Sequence, residues 1–377
     1  MAYAGLIMDK EGNLYGTTEL GGAYNQGTVF ELSPTSDGNW NETLLHSFAG
    51  FAGEESDGAQ PHAALVFDSA GNLYGTTSFG GSAKCTQGCG TVFKLTPTSG
   101  SYESLYMFSG GSAGQEPYGR LVFDGQGNLY GTTLQGGTAC TSGCGIVFRL
   151  VPGSNGWQES VLYTFLGGSD AASPYAGVTF DAAGNLYGTS YAGGSSGNGT
   201  IFKLAPGSSG GWAESILYSF PGGRDGKQPM SDLIFDAAGN LYGTAFEGGF
   251  PGNYGVVFEL QPQSTGGWRE LILHAFADRP AANPMAGLVS DGAGNLYGTT
   301  TLGAANPATC SGGCGTLFEL APASNGGFTY HVLHSFGGAG DGYNPSGDLI
   351  LDGSGNLWGT TQAGGSQGAG TVFEITP

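Results

Sequence analysis

Short apolar or alternating runs, each bounded by Gly, Asn, Asp and Pro, follow one another along the whole chain. Runs of that kind with such punctuation predict β-strands joined by tight turns. They come in groups of four. Each group carries the phrase D-x-x-G-N-L-[YW]-G-T, whose aspartate stands at Asp9, Asp68, Asp124, Asp181, Asp236, Asp291 and Asp352. The spacings are 59, 56, 57, 55, 55 and 61 residues, a period that suits one four-stranded blade per copy. The sequence therefore predicts an all-β fold, a seven-bladed β-propeller forming a single domain over 1–377. Its repeats lie near 2–48, 49–108, 109–165, 166–220, 221–276, 277–336 and 337–377.

In the fourth copy the expected strands are A over 177–180, B over 185–189, C over 200–204 and D over 214–220. The turn from Asp181 to Gly184 suits a hairpin in which the aspartate accepts backbone N–H bonds and the glycine takes a positive φ. Outer D strands are expected near 40–48, 102–108, 157–165, 212–220, 268–276 and 328–336. The seventh copy ends after strand C, at Ile375, so the last blade is predicted to lack its outer strand unless the natural chain is longer.

Glycine supplies 75 of the 377 residues without the every-third-residue period of collagen, which fits many tight turns around an ordinary core. Ten basic against thirty acidic residues give a formal net charge of −20, which disfavours nucleic acid and anionic membrane surfaces as partners. No apolar run approaches the roughly 20 residues of a spanning helix, and no basic-then-apolar leader precedes Ala2, so membrane insertion is not expected.

The run G-[LVI]-x-x-D-x-x-G-N-L-Y-G-T-T, then G-G, then G-T-V-F-x-L, resembles the tandem repeats called GloVer across essentially the whole chain. Its A-to-B segment is more distantly similar to NHL and gluconolactonase-like propellers. The GloVer resemblance implies a bacterial propeller, secreted or at the cell surface, and brings no assigned activity that could be carried over residue by residue.

Six cysteines form three C-x-x-x-C pairs, Cys85 with Cys89, Cys140 with Cys144 and Cys310 with Cys314, each in the loop from strand B to strand C. Between the G-G (Gly-Ala in the sixth copy) and the glycine that opens strand C the seven copies have 4, 8, 7, 4, 5, 10 and 4 residues, and only the three longest loops carry cysteines. Disulfide staples are expected, and with them an oxidising, extracellular or cell-surface compartment. A metal site fits poorly, because each loop offers two thiolates with no neighbouring histidine. No metal and no cofactor are expected.

Antiparallel strands place the A-to-B and C-to-D turns on one face and the B-to-C and D-to-A loops on the other. The second face varies in length and charge between copies, which marks it as the functional one. A residue present in every copy serves the blade. The seven turn aspartates, the strand B glycines (Gly16 to Gly359) and the threonines after them (Thr17 to Thr360) are read as structural on that ground. Trp40, Trp157, Trp212 and Trp268 are read as outer-strand packing. Asp57, Asp170, Asp225 and Asp341 are read as turn formers, since the dense acidic run of a calcium loop is missing.

The position just before the apolar strand A, expected near the mouth of the central channel, breaks the symmetry, reading Gly5, Ala64, Arg120, Gly177, Asp232, Gly287 and Asp348. Two residues earlier stand Tyr3, His62, Tyr118, Tyr175, Met230, Met285 and Ser346. The ligand-binding candidates are Tyr3, His62, Tyr118, Arg120, Tyr175, Asp232 and Asp348, a set suited to a sugar or another small polar ligand. The alternative is that Arg120 pairs with a carboxylate and the tyrosines simply fill the channel.

Three functions remain. The first is a non-catalytic protein binding carbohydrate or another cell-envelope or protein partner through the loop face. The second is a lyase or hydrolase with Asp232 or Asp348 as base, Arg120 stabilising an anion and His62 as acid. The third is a structural or self-assembling role in which the open edge of blade 7 takes a strand from another chain.

Overall fold

The computed structural model describes residues 1–50, 57–208, 210–277, 281–303, 310, 312–324, 326–338 and 340–377. The start of the second repeat at 51–56 and much of the longest B-to-C loop, in the sixth repeat, lie outside the described residues. The chain divides into two compact units. The first comprises Met1–Gly167, Ser173–Val178 and Pro206–Ala213, and the second Gly168–Ala172, Thr179–Ala205 and Glu214–Pro377.

The fold is a seven-bladed β-propeller of antiparallel blades, the last without a strand D among the described residues. Blade 1, in the first unit, runs Ile7–Met8, Leu14–Thr18, Thr28–Pro34 and Trp40–Ser47. Blade 5, in the second, runs Ile234–Phe235, Leu241–Ala245, Val256–Pro262 and Trp268–Ala275. Strand A is shorter than the sequence predicts, with only Thr179–Phe180 paired in blade 4. The residues before it turn to the neighbouring blade instead: the Ala176 carbonyl accepts the Thr132 hydroxyl at 2.7 Å. Thr189 and Thr244 reach the Ser231 and Ala286 carbonyls at 2.9 Å in the same way, so these three threonines join blades, whereas the matching Thr17, Thr76 and Thr299 hydroxyls are buried without a hydrogen-bond partner among the described residues.

The A-to-B turn is built around its aspartate. Asp181 Oδ1 accepts the N–H groups of Ala183 and Asn185 at 2.9 Å, and Oδ2 accepts Asn185 Nδ2 at 2.6 Å and the Tyr187 hydroxyl at 3.1 Å. Gly184 closes the turn with φ 82°, where a side chain would be strained. The other turns repeat the scheme, with Trp358 Nε1 replacing the tyrosine hydroxyl on Asp352 at 3.1 Å.

Each blade then packs on one ring. A Cβ on the strand B glycine Gly188 would lie 2.6 Å from Phe202 Cζ, so only glycine lets strand C seat its buried phenylalanine there. The last residue of the outer run is also buried, as with Phe220 and Phe276, both 0% exposed. Its N–H donates to the glycine that opens strand C, Phe220 to the Gly199 carbonyl at 3.0 Å.

A second device joins neighbouring blades. Gln60, Glu116, Ser173, Gln228, Asn283 and Asn344 all stand before a proline and all have φ between 54° and 58°, in the left-handed region that non-glycine residues avoid. The Gln228 N–H donates to the Asn198 carbonyl of blade 4 at 2.7 Å, while its own carbonyl accepts the Phe246 N–H of blade 5 at 3.2 Å. The following proline, Pro229, sits against Gly199, where a Cβ would come within 2.6 Å of Pro229 Cδ. Gln60, Glu116 and Asn283 bond two blades at once in the same way, which holds their strained backbones.

Candidate functional site

The loop face is more ordered than loops alone would be. Two-stranded ladders join D-to-A loops to the ends of strand B: Gly58–Ala59 with Phe79–Gly80, Ala171–Ala172 with Ala192–Gly193, and Ala281–Ala282 with Leu302–Gly303. All three cysteine pairs are disulfides, with Cα atoms 5.2 Å apart in Cys85–Cys89 and 5.3 Å apart in Cys140–Cys144 and Cys310–Cys314. Beside the first staple a cleft of about 310 Å³ opens between blades 1 and 2, lined by Gln26, Gly50, Gln60, Phe79 and Gln87. No cluster of three His, Cys, Asp or Glu side chains suited to a metal ion occurs among the described residues.

Two of the D-to-A aspartates bond the residue that follows them. Asp57 Oδ1 accepts the Gly58 N–H at 2.6 Å and Asp341 Oδ1 the Gly342 N–H at 2.8 Å. Each also binds a strand D histidine, His46 Nε2 at 2.7 Å and His334 Nε2 at 2.9 Å.

In the first unit four of the sequence-predicted residues come together. Tyr3 meets His62 edge-on at 5.7 Å between centroids, His62 stacks on Tyr118 at 4.5 Å, and Tyr118 meets Tyr175 edge-on at 5.5 Å. All four are half-buried, and the proline immediately before His62, Tyr118 and Tyr175 is clamped in the blade junction and fixes where the ring leaves the chain. His62 is held from both sides, its Nδ1 2.8 Å from Ser78 Oγ and its Nε2 3.5 Å from Glu19 Oε1. That contact with His62 holds the Glu19 carboxyl below its usual range despite partial burial. Burial pushes Glu116 up, and burial with the Glu116 charge pushes the Tyr118 hydroxyl up to about 12. Glu19 and Glu116 were not foreseen as part of this arc. The sequence signal for Glu116 was its place before Pro117, and for Glu19 only its place two residues after Thr17.

The charged positions before strand A have a steric logic that the sequence hides. Arg120 is exposed, and its backbone lies so close to Gly177 that a Cβ there would collide with the Arg120 carbonyl. In the second unit Asp348 Oδ1 accepts the Gly287 N–H at 2.6 Å, and a Cβ on Gly287 would lie 3.1 Å from that oxygen and 3.4 Å from the Asp232 carbonyl. Charge on one blade is thus matched by glycine on a neighbour. Asp232 and Asp348 flank Gly287, and Asp348 already spends an oxygen on the backbone.

Seven glycine-rich blades bound by recurring turns define a tandem-repeat β-propeller. The chain belongs to the Gloeobacter/Verrucomicrobia repeat family, whose sequence profile matches residues 1–179, 139–326 and 252–377. No curated protein matches it in sequence. Among solved structures it is similar to an ancestral GH74 enzyme, with TM-score 0.56 and 12% identity, covering 100% of this chain and 51% of that one. It is also similar to a fungal alcohol oxidase of the AA5 family in complex with copper, with TM-score 0.57 and 12% identity, covering 100% and 74%. The chain thus spans about half the length of the first and three quarters of the second, and at such identity the likeness is one of fold.

Proposed function

We propose that this protein is a non-catalytic binding protein of an oxidising, extracellular or cell-surface compartment, and that it takes carbohydrate of a cell envelope at the aromatic arc. The observation that carries the reading is the train of half-buried rings Tyr3, His62, Tyr118 and Tyr175, bordered by the carboxyls of Glu19 and Glu116. Rings offer flat faces and edges to the C–H surface of a sugar, and carboxylates accept its hydroxyls. The disulfides support the compartment, since such bonds persist where thiols are not kept reduced.

Screening against a glycan array and against envelope polysaccharide fractions, followed by calorimetry, tests the reading. A binder is expected, and Tyr118→Ala should weaken it about tenfold or more, the scale of one lost aromatic contact. No binding to any fraction, or undiminished binding by a folded Tyr3→Ala/Tyr118→Ala variant, would overturn it.

A further inference from the structure

Six D strands cover the outer edges of six blades, but strand C of blade 7, Val372–Ile375, pairs only with strand B, Leu357–Gly364, among the described residues. Two features of the other blades specify what this edge is shaped to receive. The first is the closing phenylalanine. Phe276 and Phe336 donate their N–H to the carbonyls of Gly255 and Gly315 at 3.0 and 3.1 Å, and they bury strand C beneath them. Blade 7 keeps the matching glycine, Gly370, yet its Val372 and Phe373 stay half-exposed where Val257 and Phe258 of blade 5 are 0% exposed.

The second feature is a pairing rule between successive D strands. Where the earlier strand offers tyrosine the later one supplies glutamate: the Tyr106 hydroxyl donates to Glu159 Oε2 at 2.7 Å, and Tyr218 faces Glu270. Where the earlier strand offers histidine the later one supplies tyrosine. Tyr102 lies flat on His46 with centroids 3.9 Å apart and planes 3° apart, and Tyr330 on His274 at 4.0 Å and 6°. Blade 6 offers a histidine, His334, bound to Asp341 just as His46 is bound to Asp57. Under Tyr102 the His46 and Asp57 side chains are 18% and 13% exposed, whereas His334 and Asp341 are 39% and 25% exposed.

We propose that the blade 7 edge is a docking site for an extended polypeptide segment of D-strand pattern. The segment carries a tyrosine opposite Ile375, stacked on His334, and six residues later a phenylalanine that donates its N–H to Gly370. The register follows from Tyr330, which pairs with Leu320, the counterpart of Ile375 in blade 6, and stands six residues before Phe336. Main-chain bonds along an open edge supply affinity, and alternate side chains supply the choice of partner. The occupant is a segment not folded into a blade of its own, because the D strands of a second copy are already paired. This inference is independent of the carbohydrate reading, which concerns residues of the first unit.

The probe is a labelled peptide of the sequence Phe-Thr-Tyr-His-Val-Leu-His-Ser-Phe, that of residues 328–336, with solubilising lysines, titrated into the 377-residue chain by fluorescence anisotropy. Saturable binding is expected, weakened about tenfold when glutamate replaces the peptide's tyrosine, the scale of one stacked pair. His334→Ala should weaken the tyrosine peptide by a similar factor and erase the difference between the two peptides. No saturable binding to folded protein, equal affinity for both peptides, or a dimer that the peptide does not dissociate would each overturn the proposal.

Discussion

Two sets of carboxyl groups in this molecule share a chemistry and differ in surroundings. In the A-to-B turns each carboxylate meets donors: backbone N–H groups, an asparagine amide and a tyrosine hydroxyl or tryptophan N–H. Burial opposes ionisation of Asp68, Asp124, Asp181 and Asp291, and the donors outweigh it, holding these groups below the usual range. On strand D the carboxyls of Glu214 and Glu270 meet burial and another acid. Burial and the charge of Asp170 push Glu214 up to about 7, and burial and the charge of Asp225 push Glu270 up to about 8. An acid surrounded by donors stabilises a fold when ionised, and one facing a second acid stabilises it only while it keeps its proton.

The largest expected effect is on the donor-filled set. Asp181→Ala should cost about 3 kcal/mol in urea unfolding, since it removes a charged acceptor and strands its donors. A loss well under 1 kcal/mol would break the comparison. Removing the Cys85–Cys89 staple by double replacement with serine should cost roughly 2 kcal/mol, the chain-entropy value for so short a loop, measured the same way. Glu270→Gln sharpens the contrast through pH. Because the folded value lies above the unfolded one, the contribution of Glu270 is full at low pH and is lost as pH rises through about 8. The variant should therefore match the parent near pH 5 and unfold at a higher temperature near pH 9. A parent profile that rises from pH 5 to pH 9 would contradict this. Smallest of all, Arg120→Ala on the exposed loop side should stay within about 0.5 kcal/mol of the parent by the same urea titration.

The turns were legible because everything they need lies within six residues: Asp181, Gly184, Asn185 and Tyr187 stand at fixed spacing in one hairpin. The open edge of blade 7 was legible from the count of D runs, and the local disulfides from their four-residue separation. The aromatic arc was partly legible: the series Tyr3, His62, Tyr118 and Tyr175 gave the rings, but Glu19 comes from the far end of strand B and joins only when that strand folds back over strand A. The meaning of the charges was hidden. Arg120 beside Gly177, and Asp348 on the Gly287 N–H, are relations between blades some sixty residues apart, and a single row of letters does not show which glycine makes room for which charge. Strand A was overextended for the same reason, since the backbone before it bonds to another blade.

The left-handed residue before each proline has one more consequence, for how such a chain grows. Every copy from the second to the seventh carries, ahead of its strand A, the wedge that locks its predecessor, Gln60-Pro61 in blade 2 and Asn344-Pro345 in blade 7. The wedge and the closing phenylalanine therefore bracket blades 2 to 6, the one ahead of strand A and the other at the end of strand D. A gene duplication cut between a closing phenylalanine and the next wedge inserts a piece that arrives with its own fastening and leaves the fastening of its successor untouched.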